Sequence, residues 1–123
     1  MFNPNLPTVQ MLGRWQPWHA GHTALFKKAL ATTGQVSIMV RDTEDGGDNP
    51  FNYEEVIKNI KEGLNQEGFK YEDKYNIIVV PNITDISYGR GVGYTFTEHD
   101  LGASIHNISG TEIRKKLREE GKL

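Results

Sequence analysis

The chain has no cysteine, so disulfides, thiolate metal sites and a cysteine nucleophile are all excluded. It has no apolar run near the roughly 20 residues that span a bilayer. The segment from Met1 to Gln10 has neither the basic nor the long apolar part of a secretory signal. There is no basic excess either: the formal net charge is -2, which argues against a general nucleic-acid binder. Anionic ligands stay open, because a cleft focuses its own local charge whatever the total. No internal repeat, low-complexity tract or linker divides the 123 residues, so the expectation is one cytoplasmic domain over residues 1–123, without a membrane or nucleic-acid partner.

What is present is an alternation of short apolar runs and helical patterns. Thr8 to Leu12, followed by Gly13, reads as a first strand. His22 to Thr33 reads as a helix, with Leu25, Phe26, Ala29 and Leu30 at helical spacing and Gly34 as its stop. Val36 to Val40 is a second strand, ending in Arg41 and a polar, glycine-rich loop from Asp42 to Pro50. Asn52 to Glu67 is the clearest helix, with Asn52 and Glu55 forming a capping box and Tyr53, Val56, Ile57, Ile60 and Leu64 the buried stripe. Asn76 to Val80 is a third strand whose unbroken apolar run suits coverage on both faces. Asp85 to Gly93 is a loop, Tyr94 to Thr97 a short fourth strand, and Gly110 to about Glu120 a closing helix with Ile113 and Leu117 one turn apart.

This order predicts an α/β protein: a Rossmann-like three-layer fold with a small, mostly parallel sheet in a single domain. Ligands of such sheets sit beyond the carboxyl ends of the strands. That would place the Gly13–His22 turn, the Arg41 loop and the Asp85–Gly93 loop on one rim.

Two segments carry the chemistry. In Gly13-Arg-Trp-Gln-Pro-Trp-His-Ala-Gly-His22, Gly13 leaves room for a ligand, Pro17 stiffens the turn and Gly21 allows close approach. His22 falls at a helix start, where free N–H groups and the dipole favour an anion. His19, His22 and Arg14 would converge on phosphate oxygens. Two histidines three apart also suggest a metal site, but no third strong ligand lies nearby. Trp15 and Trp18 read as hydrophobic lids before they read as base-stacking platforms.

The second segment is Ile108-Ser-Gly-Thr-Glu-Ile-Arg114. Ser109 and Glu112 form a capping box and Gly110 eases the turn. The same geometry offers Ser109, Thr111 and the planar fork of Arg114 to an anion. Arg41, Asp85 and Arg90 form a candidate substrate rim, with Tyr88 beside it, although no motif supports them. His99 and His106 read as loop or surface residues, and Lys115, Lys116 and Arg118 as a solvated helix face.

Together the two segments resemble the G-R-F-Q-P-F-H-x-G-H and I-S-x-T-x-x-R motifs of the H-x-G-H nucleotidyltransferases, the cytidylyltransferase-like superfamily. The resemblance implies transfer of a nucleotidyl group from a triphosphate with release of pyrophosphate. By that resemblance His19 and His22 bind the triphosphate and, with Arg114, serve catalysis. Ser109, Gly110 and Thr111 hold the β- and γ-phosphates with Arg114, while Gly13, Arg14, Trp15, Gln16 and Gly21 line the nucleotide pocket. The family commonly uses magnesium, held largely by phosphates and water.

The R-x-Q-P wording and the Asn49-Pro-Phe-Asn-Tyr-Glu-Glu stretch are similar to nicotinamide mononucleotide adenylyltransferases. They favour AMP transfer from ATP to a small phosphorylated metabolite. The alternatives are a cytidylyltransferase using CTP and an alcohol phosphate, a catalytically silent nucleotide-binding protein and a small RNA-binding module; Gly110 also keeps sulfate adenylyltransferases open. Both aromatic motif positions are tryptophan, and the chain ends soon after the second motif; these departures leave the acceptor open and leave room for a partner subunit to help close the site. A homo-oligomer is expected.

Overall fold

In the computed structural model, which describes residues 1–90, 93–102 and 109–123, the elements follow the order β1 (Val9–Gly13), α1 (Ala20–Thr33), β2 (Val36–Arg41), α2 (Tyr53–Gln66), β3 (Tyr75–Val80) and α3 (Gly110–Glu119). The strands form one parallel sheet in the order β1-β2-β3. Two right-handed crossovers running the same way across a sheet put both helices on one face. α1 and α2 accordingly touch each other and both pack on β2.

Strand register decides which residues meet those helices, because paired positions in neighbouring strands share a face. Val9, Val36 and Tyr75 form one row, and Met11, Ile38 and Ile77 the next. Against them lie Phe26 and Ala29 of α1 and Val56, Ile60 and Leu64 of α2. The opposite face carries the rows Gln10, Ser37, Asn76 and Leu12, Met39, Ile78. The architecture is the Rossmann-like α/β arrangement that the alternating pattern implies.

Local signals set most boundaries. Asn52 caps α2, accepting from the Glu55 amide at 2.9 Å while the Glu55 side chain accepts the Asn52 amide, as the sequence pattern requires. Gly34 ends α1 at φ 91°, a conformation that only glycine adopts without strain.

Four expectations are corrected. Tyr94 to Thr97 is not a strand: among the described residues the sheet has three strands, and none offers a ladder to this segment. Tyr94 and Phe96 are exposed, and each packs a ring against its local aromatic neighbours instead. The apolar run of β3 is not covered on both faces, since β3 is an edge strand and both Ile78 and Val79 remain exposed. Tyr53 leaves the buried stripe: as the first residue of α2, at its capped end, it is exposed. Finally, α1 starts at Ala20, two residues before His22, because His19 caps it.

Candidate functional site

The site is built on the turn that joins β1 to α1. Trp15 lies in the left-handed region at φ 53°, unusual for a bulky residue, and Gln16–Pro17 is a cis peptide. The turn is held by burial. Trp15 donates Nε1–H to the Met39 carbonyl at 3.1 Å, and Trp18 donates to Thr23 Oγ1 at 2.9 Å. Both indoles are buried, which fits their reading as lids. The room expected beside Gly13 is already filled: a Cβ there would lie 2.8 Å from Trp15 Cζ2, so the glycine admits an indole.

His19 and His22 stack face to face, with ring centroids 3.7 Å apart and planes 19° apart. Each ring accepts a backbone N–H at Nδ1. Gly21 donates to His19 at 3.0 Å, and the His19 amide donates to His22 at 3.2 Å. This reciprocal pair caps α1 with imidazoles where serine or aspartate usually serves. It also fixes the tautomer, because a neutral ring that accepts at Nδ1 carries its proton on Nε2. Burial lowers the pKa of His19; burial and then the neighbouring His19 lower that of His22 to about 3. Both rings are therefore neutral Nε2–H donors near neutral pH.

The other half of the site comes from the far end of the chain. Ser109 caps α3, accepting weakly from the Glu112 amide at 3.4 Å; no reciprocal bond from Glu112 completes the expected capping box. Arg114 is buried, and it is the buried residue of α3, rather than Ile113 or Leu117. Its guanidinium donates to the Gln16 carbonyl at 2.5 Å and to Thr111 Oγ1 at 3.2 Å. A Cβ on Gly110 would come within 3.2 Å of both Arg114 Nη1 and the Gln16 oxygen, so this glycine lets α3 approach the turn. Burial lowers the Arg114 pKa, nearby Asp48 opposes that shift, and Arg14 and Arg118 add to it.

These residues enclose a cavity of about 230 Å³. Gly13, Arg14, Trp15, Gln16, His19 and His22 line it from the first motif, and Gly110, Thr111 and Arg114 from the second. Gly21 and Ser109 do not line it, although each takes part in a cap beside it. Gln16 turns its side chain elsewhere: its amide both donates to the Phe51 carbonyl at 2.8 Å and accepts the Phe51 N–H at 3.0 Å.

The expected single rim divides into two cavities. Arg41 and Asp85 line a separate space of about 390 Å³ with Leu12, Ile83, Thr84 and Ile86. The split follows from strand alternation, since Gly13 and Leu12 face opposite sides of β1. Arg41 donates to Asn82 Oδ1 at 2.8 Å, and its buried Nε has no partner among the described residues. Arg90 and Tyr88 are exposed and line neither space, and His99 is half-buried. His106 and Ile108 lie outside the described residues. Sequence reasoning missed Asp48, which sits 3.6 Å from Arg114 Nη2; Arg118 is exposed, as expected, and also donates to the Gly47 carbonyl. A polar, glycine-rich loop gives no pattern from which such partners are read.

A small parallel α/β unit with two neutral imidazoles and two guanidiniums on one cavity, at the carboxyl end of β1, is the class of protein that fold and site define. No family model matches the chain. It is 26% identical, over 129 aligned positions that cover 87% of it, to a nicotinamide-nucleotide adenylyltransferase of Methanococcus aeolicus, of which 75% is covered. That likeness supports a nucleotidyltransferase-type family. No helix among the described residues is long and apolar enough to cross a membrane.

Proposed function

We propose that the chain is a nucleotidyltransferase that moves AMP from ATP to a small phosphorylated acceptor and releases pyrophosphate. The observation that carries this reading is the convergence of His19, His22, Arg14 and Arg114 on one cavity from both ends of the sequence. Two Nε2–H donors and two guanidiniums suit phosphate oxygens, and a helix start beneath them adds its dipole. The cavity is smaller than the roughly 300–1,000 Å³ of most small-molecule sites, which suits the phosphates of a nucleotide better than its whole body.

In this reading an acceptor phosphate oxygen attacks the α-phosphorus in line as the bond to the pyrophosphate oxygen breaks. His19 and His22 donate to the α-phosphate as its charge builds, and Arg114 and Thr111 hold the leaving pyrophosphate. Positioning and electrostatic stabilisation supply the rate, so no protein nucleophile is needed. Among the described residues no three His, Asp or Glu side chains gather to hold a metal ion. Magnesium in this reading travels on the nucleotide phosphates and reduces their charge.

The name of the Methanococcus aeolicus relative supports nicotinamide mononucleotide as the first acceptor to try. The Arg41–Asp85 cavity, on the other side of β1, is the candidate acceptor site. The test is pyrophosphate release with each of four nucleoside triphosphates and magnesium, across a panel holding nicotinamide mononucleotide and alcohol phosphates. Release with ATP and a phosphorylated acceptor is expected. Release only with CTP overturns the choice of nucleotide, and nucleotide binding without release overturns the enzyme reading.

A further inference from the structure

The loop between β2 and α2 reaches across to the cavity. Its tip is a tight turn closed by two backbone bonds of 2.8 Å, from Gly46 to the Asn49 carbonyl and from Asn49 to the Gly46 carbonyl. Gly46 at φ 105° and Gly47 at φ 54° supply the left-handed backbone that the turn requires. Three cations hold this tip. Arg14 donates to Asn49 Oδ1 at 3.2 Å, Arg114 pairs with Asp48 at 3.6 Å, and Arg118 donates to the Gly47 carbonyl. Arg14 and Arg114 are the two guanidiniums that line the cavity, and Arg118 lies one helical turn beyond Arg114.

We propose that this turn is a built-in competitor for the triphosphate: the Asp48 carboxylate occupies the anion position on Arg114 and must leave when phosphates arrive. The inference rests on reading the cavity as a phosphate cradle. Arg114 has little to spare, since one terminal nitrogen serves the Gln16 carbonyl and the other is shared between Thr111 and Asp48. A carboxylate and a phosphate oxygen on the same nitrogen repel each other, so they exchange rather than coexist. Among the described residues the turn is held by these contacts alone and otherwise faces open space. A Cβ at Gly46 or Gly47 would meet nothing within 4 Å, and Asp48 is 75% exposed. Beyond it the chain is anchored again at Phe51 by both bonds to Gln16. The competitor is weak, because its carboxylate is 75% exposed and 3.6 Å away, so water screens the pair even though Arg114 is buried. It raises the phosphate concentration needed for binding without blocking the site.

The test is calorimetric binding of inorganic tripolyphosphate to the wild type and to two exposed-loop variants. Asp48→Asn removes the internal anion. Gly46→Ala leaves every charge in place but strains the closed turn, since a side chain at φ 105° is unfavourable. Both are expected to bind about two- to five-fold more tightly, the size of a weak, solvent-screened pair. A gain in Asp48→Asn alone would mean diffuse electrostatics and overturn the competitor. Unchanged or weaker binding in both overturns it as well. If no form, wild type included, binds tripolyphosphate, the phosphate-cradle reading falls with it, an outcome distinct from failure of the loop alone.

Discussion

The amide of His19 donates to the ring of His22, and the ring of His19 in turn caps the helix on which His22 sits. Neither imidazole can take up a proton at Nδ1 without breaking one of these bonds, so cap and charge state are one device.

That device has a pH signature. The His22 pKa is lowered from 6.5 to about 3, first by burial and then by His19. Between those values the unfolded chain binds a proton at this position that the folded chain does not. Stability therefore rises with pH across the window and is lost as pH falls through it. Melting temperatures should drop from about pH 7 to about pH 4, with a shallower slope in His22→Gln. A ring resonance of His22 that titrates near 6.5 would contradict the assignment.

His19 is expected to matter twice, and two substitutions separate the roles. His19→Ala removes the cap and the donor, costing about 1 kcal/mol of stability and on the order of 100-fold or more in turnover. His19→Asn keeps a side-chain acceptor for the cap, so stability should recover while turnover stays low. Recovery of both in Asn would show that position 19 only shapes the helix start.

Arg114→Lys keeps the charge and loses the fork. A single ammonium cannot reproduce planar bonds to both the Gln16 carbonyl and Thr111 Oγ1. Tripolyphosphate binding by calorimetry should weaken about ten-fold or more, the scale of one charge-assisted hydrogen bond. Equal affinity would reduce Arg114 to a bulk charge.

Gly63 tests the packing beneath the site. Alanine is favoured over glycine in a helix by about 1 kcal/mol. Here, however, the added Cβ would sit 2.8 Å from Trp18 Cδ1 and 3.1 Å from Nε1. Overpacking costs about 1–3 kcal/mol, so Gly63→Ala should lower the denaturation midpoint. A raised midpoint would mean that Trp18 has room to move.

Legibility in the sequence followed the range of the interaction. Asn52 with Glu55 and Gly34 after Thr33 are local rules, and they could be read from neighbouring residues. The parallel α/β order followed from apolar periodicity. What could not be read was long-range. Tyr94 and Phe96 have strand-forming side chains but no ladder partner among the described residues. Gly13 faces an indole because the chain doubles back at Trp15. The cavity-lining residues of both motifs do meet, but Asp48 joins Arg114 across the fold, and no spacing rule links them.

The last helix buries one residue, an arginine, and hangs on the body by polar contacts of that residue and of Arg118. An oily face would fasten it almost regardless of solution conditions, whereas a guanidinium anchor answers to salt and to any anion that bridges α3 and the β1–α1 turn. Such an anion would act as mortar between the two ends of the chain. Melting should then rise with ligand concentration, and part of the molecule's architecture would be lent by such a ligand.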